Sequence, residues 1–483
     1  FIYFRLFDDG AERYQNLRKT ITQITICQLG LSIFSKVSDE NRYEAKTYNF
    51  YLYPPTFGPV DERFVCQASS LKFLCSYDFD FNKFIYEGIS YMNGKQEEDI
   101  RDHMASKAMF AGLERNLDEK NIEQICSKVA KWFVDEEDIK VMILEKQEMK
   151  RIPMYILSTE LKGRFPAIWT TLNTEQKCIE IERISLEKRQ ELEELQKNDL
   201  RQHEDTLLEN MLGFTRIFKL MTQLKKPLLG HNCLMDLMLI YDKFYNPLPQ
   251  SYTEFKTNLH SLFPTVFDTK HIVLSMRRDM AQTGMLQQTS LGELYTDLES
   301  EKGHTIVLHS PVVNHAEGFD RYKSDELPHE AGFDAYMCGV VFLRVGHILT
   351  FKDNKSSEVI PCMFRRYLQT LEKKRNKINV IRATINHINL EGDDHKSIRP
   401  ELLYVRGRMF KQKLNIDQVK LAKWFSPYGN VDVKAYGQNK ALVATSNHYC
   451  AKDILRAFKQ HNTIYVTYYS VWKHSPIARG LFV

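Results

Sequence analysis

The sequence predicts an α/β protein that carries a small inserted α/β domain and a C-terminal α+β domain. Residues 21–53 alternate apolar and polar side chains, as strands with one buried face do. Residues 116–206 instead show helical periodicity and a charge-dense run, and the α/β pattern resumes after them. Residues 400–472 have the order strand, helix, strand, strand, helix, strand. Together these observations predict one α/β domain that is split by an insertion and followed by a separate unit.

The composition is that of an ordinary globular chain and excludes several classes of protein. Of the 483 residues, 43% are hydrophobic and 27% are charged, which allows about two to four domains. The net charge of +4 neither requires nor excludes a nucleic acid partner, because a groove can be basic in a balanced chain. The nine cysteines form no C-x-x-C pair, so we expect reduced thiols. We expect no membrane span, which needs roughly eighteen apolar residues, and no signal peptide.

The elements on either side of the insertion follow from the spacing of their apolar residues. Residues 122–133 have the periodicity of a helix. The run at 180–204 predicts a solvent-exposed helix with opposite charges four residues apart, and a coiled-coil contact is the alternative. After the insertion, the order helix, strand, helix, strand, helix begins, with its first strand at 226–229. This order predicts the second half of the split α/β domain.

The C-terminal segment resembles an RNA-recognition motif in its order of elements. Residues 402–407 form the expected first strand, and the helix predicted at 417–425 ends before Ser-Pro-Tyr-Gly. Tyr404 lies on the first signature strand and is therefore the candidate for stacking on an RNA base. The other signature strand, 440–445, has no aromatic residue where the motif places two. A domain that only packs or binds protein is therefore an equal alternative to one that binds RNA.

The first candidate for chemistry is Gly-His-Asn-Cys-Leu-Met-Asp at residues 230–236. It follows the strand 226–229, and α/β folds keep their sites at the carboxyl ends of strands. We predict that Asn232 caps a helix and that Asp236 lies one turn later on the same face. Taken alone, the segment is more typical of a capped helix with an acidic first turn.

The second candidate, Pro-His-Glu-Ala-Gly-Phe-Asp-Ala-Tyr at residues 328–336, adds a histidine. On one helix His329 and Asp334 would point about 140° apart, but Pro328 places His329 in a preceding loop that can fold back. Between the two candidates, Asp268 ends another predicted strand. Taken alone, the second segment is more typical of a surface histidine before an acidic helix start. Carboxylates from distant segments can hold two divalent cations, and a histidine can deprotonate the attacking water.

Three motifs resemble those of the poly(A)-specific ribonuclease branch of the DEDD 3′-to-5′ exonucleases. They are Gly-His-Asn-x-x-x-Asp, Phe-Pro-x-x-x-Asp-Thr-Lys and His-Glu-Ala-Gly-Phe-Asp-Ala-Tyr, and the similarity extends over nearly the whole chain. Segments 49–58 and 472–476 are most similar to the members that trim piRNA precursors. The resemblance implies an RNase H-like exonuclease domain, and the insertion lies where the family has an RNA-binding domain with an Arg-x-x-x-His signature that is not evident here. The predicted domains are the exonuclease domain (1–115 and 207–395), the insertion (116–206) and the RRM-like domain (400–475).

The resemblance also implies roles for individual residues. Asp236 and Asp334 match acidic positions that hold two Mg²⁺ ions, and His329 matches the general base. The products would be 5′-mononucleotides released from a free 3′-hydroxyl end, and a 2′-O-methyl group at that end should hinder entry. The candidate substrate contacts are Asn232, Asp268, Phe81 and Tyr404.

Partners and location follow from the same resemblance. The expected partners are single-stranded RNA 3′ ends, a PIWI protein that carries the piRNA precursor, and a Tudor-domain adaptor at the mitochondrial surface. A homodimer is possible because the deadenylase members are dimeric. The trimming members are anchored on the cytosolic face of the mitochondrial outer membrane by a hydrophobic tail, and this sequence stops at Val483 before such a tail.

The family's first motif, Asp-x-Glu at the end of the first strand, does not occur in that context. Residues 1–4 resemble the strand that leads into the motif, whereas residues 5–10 resemble sequence a few tens of residues past it. We therefore expect a missing stretch between Phe4 and Arg5 that contains both carboxylates. The alternatives are a catalytically inactive protein that binds RNA 3′ ends or a partner, and, within the enzyme class, a poly(A) deadenylase.

Overall fold

The computed structural model shows a mixed α/β chain that forms two compact units. The first unit contains residues 1–52, 64–88 and 218–483, and the second contains residues 53–63 and 89–217. The structure describes residues 4–38, 41–56, 60–105, 119–135, 140–149, 152, 154–173, 176–280, 286–323, 327–353, 364–397, 399–408, 417–437 and 439–474.

The described helices and strands are numbered in chain order. The helices are α1 Gly10–Ile21, α2 Ala68–Ser76, α3 Phe81–Glu87, α4 Gly94–Ala105, α5 Glu119–Asp135, α6 Lys146–Met149, α7 Met154–Arg164, α8 Leu186–Leu212, α9 Phe214–Leu224, α10 Leu234–Ile240, α11 Tyr252–Leu262, α12 Thr269–Met280, α13 Leu291–Glu299, α14 Glu301–Thr305, α15 Ala331–Asp353, α16 Phe364–Leu371, α17 Gln418–Phe425, α18 His448–Ala457 and α19 Val471–His474. The strands are β1 Gln28–Ser38, β2 Arg42–Tyr51, β3 Val141–Glu145, β4 Ile168–Asn173, β5 Cys178–Arg183, β6 Leu228–Gly230, β7 Val266–Asp268, β8 Val312–His315, β9 Lys377–Asn379, β10 His387–Asn389, β11 Leu403–Gly407, β12 Val431–Ala435, β13 Lys440–Thr445 and β14 Ile464–Tyr468.

In the first unit, α15 packs on the long antiparallel pair β1–β2, and β8 extends this sheet in parallel to β2. The predicted strand region 21–53 starts later than expected, since α1 continues to Ile21 after a capping box between Asp9 and Glu12 fixes its start. The parallel pair β6–β7 and the antiparallel pair β9–β10 are the further described strand pairings of this unit before its C-terminal sheet.

Helix α15 is the centre of the apolar core. Residues such as Val341 and Phe342 pack in one cluster, and Phe333 and Tyr336 pack in another. By length and composition residues 331–352 are apolar enough to cross a membrane, so the expectation that no segment would pass this test is wrong. However, 83% of that window is buried inside the protein, as expected for a core helix that is apolar on all sides.

The C-terminal part of the first unit is a four-stranded antiparallel sheet with the strand order β12-β13-β11-β14. Helices α17 and α18 cover one face of it, where Phe425 and Ile454 pack against Leu403 and Val405. The predicted alternation of strands and helices in this segment is therefore confirmed. The opposite face contains Tyr404 and Arg406, because side chains alternate along a strand.

The second unit contains the three-stranded antiparallel sheet β3-β5-β4. Helices α5 and α7 pack on it through Val129, Trp132, Leu157 and Leu161. The expected exposed helix at 180–204 begins only at Leu186, because residues up to Arg183 pair as β5. This unit includes the predicted insertion and extends beyond both of its ends, while the predicted boundaries at residues 116 and 475 lie outside the described residues.

Candidate active site

Two carboxylates from distant parts of the chain lie in the first turns of two helices. Asp236 lies in α10, which follows β6, and Asp334 lies in α15. Strand β6 runs parallel to β7, so α10 starts at the carboxyl end of a parallel pair. The tight exit from β6 requires glycine, since a Cβ atom on Gly230 would lie 2.4 Å from the Cβ atom of Cys233. The predicted acidic positions therefore both lie at helix starts.

The surroundings of both carboxylates favour their protonated forms. Asp236 is open to solvent, but protein surrounds it on most sides, and the lost solvation raises its pKa to about 6. The neighbouring charges of Asp268 and Asp334 add to this rise in pKa. Lost solvation also raises the pKa of the half-buried Asp334, while the charge and backbone N–H of His329 oppose that rise. A cation would relieve this excess of negative charge.

His329 lies in the loop before α15, where the sequence predicted it. Its φ of +67° is in the left-handed region, which is uncommon for residues other than glycine. The exposed imidazole contacts the rings of Phe73 and Tyr77, with centroids 5.0 and 4.2 Å away. The charge and the backbone N–H of His329 lower the pKa of Asp334, as expected for a loop residue close to the helix start. The imidazole is therefore accessible to water close to Asp334.

Phe73 and Tyr77 form an exposed aromatic surface that the sequence analysis missed. Their side chains are 46% and 43% exposed, and their ring centroids are 4.8 Å apart. Helix α2, which carries Phe73, buries none of its residues, so its apolar side chains do not serve a core. Exposed aromatic rings are stacking surfaces for nucleic acid bases. In the sequence, this surface is visible only as two aromatic residues four positions apart. That spacing is equally typical of a helix that packs against a core.

Asp268 was predicted to contact the substrate. In the structure it is instead a buried anchor of the fold. Its side chain is fully buried. Its two oxygens accept hydrogen bonds of 2.9–3.3 Å from the backbone N–H groups of Asn232, Cys233, Lys270, His271 and Asn379. Five donors occupy the lone pairs of the carboxylate, so it has no capacity left for RNA. Asp268 holds the start of α12, the turn before α10 and β9 together, and it adds negative charge near Asp236.

The prediction that Asn232 caps α10 is wrong. The residue directly before the helix is Cys233, whose side chain makes no capping hydrogen bond. Asn232 instead adopts a left-handed turn with φ of +57°, which asparagine tolerates better than most residues. Its side-chain oxygen accepts a hydrogen bond of 2.8 Å from Nδ2 of Asn379. Asn379 is buried in β9 and was missed, since nothing in its local sequence marks it as a partner. The role of Asn232 in substrate binding stays a prediction.

The two predicted aromatic contacts differ in their surroundings. Phe81 is half-buried at the start of α3, where its ring contacts Phe79 with centroids 4.9 Å apart, so its role as a substrate contact stays a prediction. The prediction for Tyr404 is wrong, because its ring is only 3% exposed. The imidazole of His474 in α19 stacks on it, with centroids 4.2 Å apart and planes 22° apart. A nucleic acid base cannot reach Tyr404 while α19 covers it.

Two acidic residues near the start of the described chain have structural roles. Asp8 forms a buried ion pair of 3.1 Å with Arg13, and Asp9 accepts the backbone N–H of Glu12 as the N-cap of α1. Neither carboxylate is free to replace those of the absent Asp-x-Glu motif.

The donor set fits a divalent cation only in part. Within the described residues, no three or more His, Cys, Asp or Glu side chains are arranged as ligands of one metal ion. Asp236 and Asp334 would suffice for one hydrated Mg²⁺, because Mg²⁺ takes one or two carboxylates and completes its shell with water and substrate phosphates. The predicted second ion would need further carboxylates, such as those of Asp-x-Glu.

Comparisons with known proteins show the family of the chain. Residues 4–342 match the CAF1 family ribonuclease profile. The poly(A)-specific ribonuclease PNLDC1 of Mus musculus is 34% identical over 98% of this chain and 86% of its own length. The pre-piRNA 3′-exonuclease trimmer of Bombyx mori is 33% identical over 99% and 87%. The poly(A)-specific ribonuclease PARN of Homo sapiens is 30% identical over 91% and 69%. The chain therefore belongs to the CAF1 family of ribonucleases.

Proposed function

We propose that this ribonuclease is a 3′-to-5′ exoribonuclease that trims the 3′ ends of piRNA precursors. The observation that carries the proposal is the meeting of a carboxylate pair and an imidazole beside an exposed aromatic surface. Asp236 and Asp334 provide the carboxylates, His329 the imidazole, and Phe73 and Tyr77 the surface. The choice of substrate rests on the similarity to the Bombyx mori trimmer and to PNLDC1.

The chain's own residues would act in the following way. His329 accepts a proton from a water molecule at its unprotonated ring nitrogen, as a general base does. The water oxygen forms a bond to the terminal phosphorus, and the bond from phosphorus to the preceding 3′ oxygen breaks. The leaving 3′ oxygen takes up a proton from solvent, so the products are a 5′-mononucleotide and an RNA with a new 3′-hydroxyl end. Asp236 and Asp334 would hold the divalent cation, which stabilises the charge on the oxygens.

Selectivity for a free 3′ end follows from the position of the aromatic surface. Phe73 and Tyr77 are exposed next to His329, so a terminal base that stacks on them would bring its phosphate to the imidazole. We propose that a 2′-O-methyl group on the terminal ribose hinders this placement. Trimming would then stop once the end is methylated.

We further propose that Mg²⁺ is the physiological cation. The proposed partners are a PIWI protein that carries the precursor and a Tudor-domain adaptor, with the enzyme, possibly as a homodimer, on the cytosolic face of the mitochondrial outer membrane. Co-purification of the tagged full-length protein with a PIWI protein from a mitochondrial fraction tests both the partner and the place. Recovery only in other fractions, without a PIWI protein, would contradict both.

Two alternatives have their own supporting observations. A poly(A) deadenylase is supported by the similarity to PARN. A catalytically inactive RNA-binding protein is supported by the absence of Asp-x-Glu from its expected context in this sequence. Sequencing the transcript across the codons of Phe4 and Arg5 separates the last alternative from the enzyme. Codons for Asp-x-Glu between them would support the enzyme, and a continuous reading would favour the binding protein.

One incubation tests the three functions together. The full-length protein is incubated with Mg²⁺ and a 5′-labelled RNA that is free, bound to a PIWI protein, or a poly(A) tail. Stepwise shortening that is fastest on the PIWI-bound RNA is expected. Preference for poly(A) would favour the deadenylase, and binding without shortening would favour the inactive protein. Asp334→Ala serves as the control for contaminating nucleases.

A further inference from the structure

Glu330, the residue between the imidazole and the start of α15, lies at the centre of a polar network. Its Oε1 accepts a hydrogen bond of 2.7 Å from Nδ2 of Asn49 on β2. Arg321 donates to both of its oxygens, from Nε to Oε1 and from Nη2 to Oε2, at 3.0 Å each. The Glu330 side chain is only 12% exposed, whereas that of Arg321 is 61% exposed. The carboxylate is therefore largely shielded from solvent, with one buried-side partner in Asn49 and one exposed partner in Arg321.

The same network fixes the first turn of α15. The backbone N–H of Gly332 donates to Oδ1 of Asn49 at 3.0 Å, and that of Ala331 donates to Oε1 of Gln28 at 2.9 Å. These are N–H groups that a helix start leaves without intrahelical partners. Asn49 thus donates to Glu330 and accepts from the helix with one amide group, so its orientation depends on the carboxylate.

The backbone on both sides of Glu330 belongs to the active site. The carbonyl oxygen of Glu330 accepts the N–H of Asp334 at 3.0 Å, and the preceding residue is His329 in its left-handed conformation. A left-handed residue other than glycine is strained and persists only where the surroundings hold it. The backbone of β1 lies very close to the start of α15, because a Cβ atom on Gly30 would lie 1.8 Å from the carbonyl oxygen of Ala331. The backbone at the helix start therefore has little room to move.

We propose that Glu330 is a positioning residue that holds the imidazole of His329 at its working distance from Asp334. The inference rests on the proposed function, because it gives His329 the role of the base. Glu330 does not touch the substrate. Its carboxylate fixes the loop through Asn49 and Arg321, while the imidazole itself contacts the rings of Phe73 and Tyr77. Most of the effect passes through Asn49, because Arg321 is exposed and its ion pair is weakened by solvent.

Three variants separate these contributions. Glu330→Ala removes both partners and should lower kcat by about 10–100-fold, as expected for a residue that orients a catalytic group, with KM and RNA affinity unchanged. Glu330→Gln keeps an oxygen that can accept from Asn49, so it should retain most of the activity. Arg321→Ala should resemble Glu330→Gln. Lys323→Ala is the matched control, since Lys323 forms only an exposed pair of 3.5 Å with Asp320 in the same segment.

A second measurement does not depend on activity. Hydrogen–deuterium exchange at the amide of Gly332 should become about tenfold faster or more in full-length Glu330→Ala, because its acceptor on Asn49 loses its fixed orientation, whereas the amide of Ala331 donates to Gln28 and should change less. Exchange at wild-type rates would overturn the positioning proposal, whatever the activity shows. A rise in KM with unchanged kcat would also overturn it, since that result would place Glu330 in substrate binding. A wild-type chain that shortens no RNA would contradict the proposed function, and exchange alone would then decide the role of Glu330.

Discussion

Two regions of this molecule contain the same kind of contact, an imidazole against an aromatic ring, with opposite consequences. Before α15, His329 contacts Phe73 and Tyr77, and all three side chains are exposed. In the C-terminal sheet, His474 stacks on Tyr404 with centroids 4.2 Å apart, and Tyr404 is buried. The first contact leaves the rings exposed to a substrate, whereas in the second contact the ring of Tyr404 is buried by packing.

The difference comes from what surrounds each pair. Helix α2 buries none of its residues and so presents Phe73 to solvent, and Tyr77 directly after the helix is exposed as well. In the C-terminal sheet, α19 follows β14 closely, and Nδ1 of His474 accepts the backbone N–H of Ser470 at 2.9 Å, which orients the imidazole over Tyr404. The hydroxyls of Tyr436 and Tyr469, 3.0 Å apart, join neighbouring parts of the same region. An aromatic residue in a signature position is therefore a binding residue only if the rest of the chain leaves it uncovered.

The largest effect should come from the carboxylate beside the open pair. Loss of a general base typically lowers a rate by about 10²–10⁴-fold. Asp334→Ala should reduce the rate of RNA shortening by more than this, because it removes a metal ligand. Single-turnover shortening of a 5′-labelled RNA measures the effect. Asp320→Ala, at an exposed acidic residue in an earlier turn, is the control and should retain wild-type activity. Wild-type activity in Asp334→Ala would contradict the metal assignment.

Loss of the imidazole should have the next largest effect. His329→Ala should lower the rate by about 10²–10⁴-fold, with RNA affinity little changed, because the base acts on the water and not on RNA binding. Filter binding and single-turnover kinetics separate the two quantities. His474→Ala in the covered pair should leave the rate constant for cleavage unchanged. An unchanged rate in His329→Ala would return this residue to an ordinary surface loop.

Removing an aromatic ring should affect RNA binding in the first region and protein stability in the second. Phe73→Ala should weaken RNA binding by ~1–3 kcal/mol, the value of one stacked base, with little loss of stability because the ring is exposed. Tyr404→Ala should instead lower the free energy of unfolding by about 3–5 kcal/mol, as for other buried aromatic rings. Equilibrium binding and urea unfolding of both variants give the comparison. Strong loss of binding with full stability in Tyr404→Ala would show that α19 moves away from the sheet.

The smallest effect concerns the charge of Asp236 in the metal-free protein. The pKa of Asp236 is about 6 in the folded protein, whereas its ordinary value, which holds in the unfolded chain, is 3.8. The charged carboxylate therefore lowers the free energy of unfolding above pH 6. The penalty is relieved as the pH falls toward about 4, where both states become protonated. Asp236→Asn should therefore raise Tm at pH 7.5 in the presence of a chelator, and the gain should disappear near pH 4. A gain that is the same at both pH values would contradict the raised pKa.

Local sequence was sufficient wherever the cause of a feature is local. Pro328 and the acidic residue five positions after His329 predicted a loop histidine before a helix, and the structure has it. The alternation of strands and helices in the C-terminal segment was predictable because each element has its own apolar period. The family resemblance of the three motifs was visible for a related reason, since each motif is a short contiguous segment.

The structure decided every feature that depends on contacts between distant segments. Whether Asp268 faces RNA or the backbone depends on five N–H groups from three separate elements, including Asn379 in β9. Whether Tyr404 stacks on RNA depends on His474 in α19, far along the chain. Sequence alone determined which residues could carry this chemistry, because residue type sets charge, hydrogen-bonding capacity and helix or strand preference. Only the tertiary structure decided which of them are free to use it, because burial and hydrogen-bond saturation are set by packing partners that no local pattern specifies.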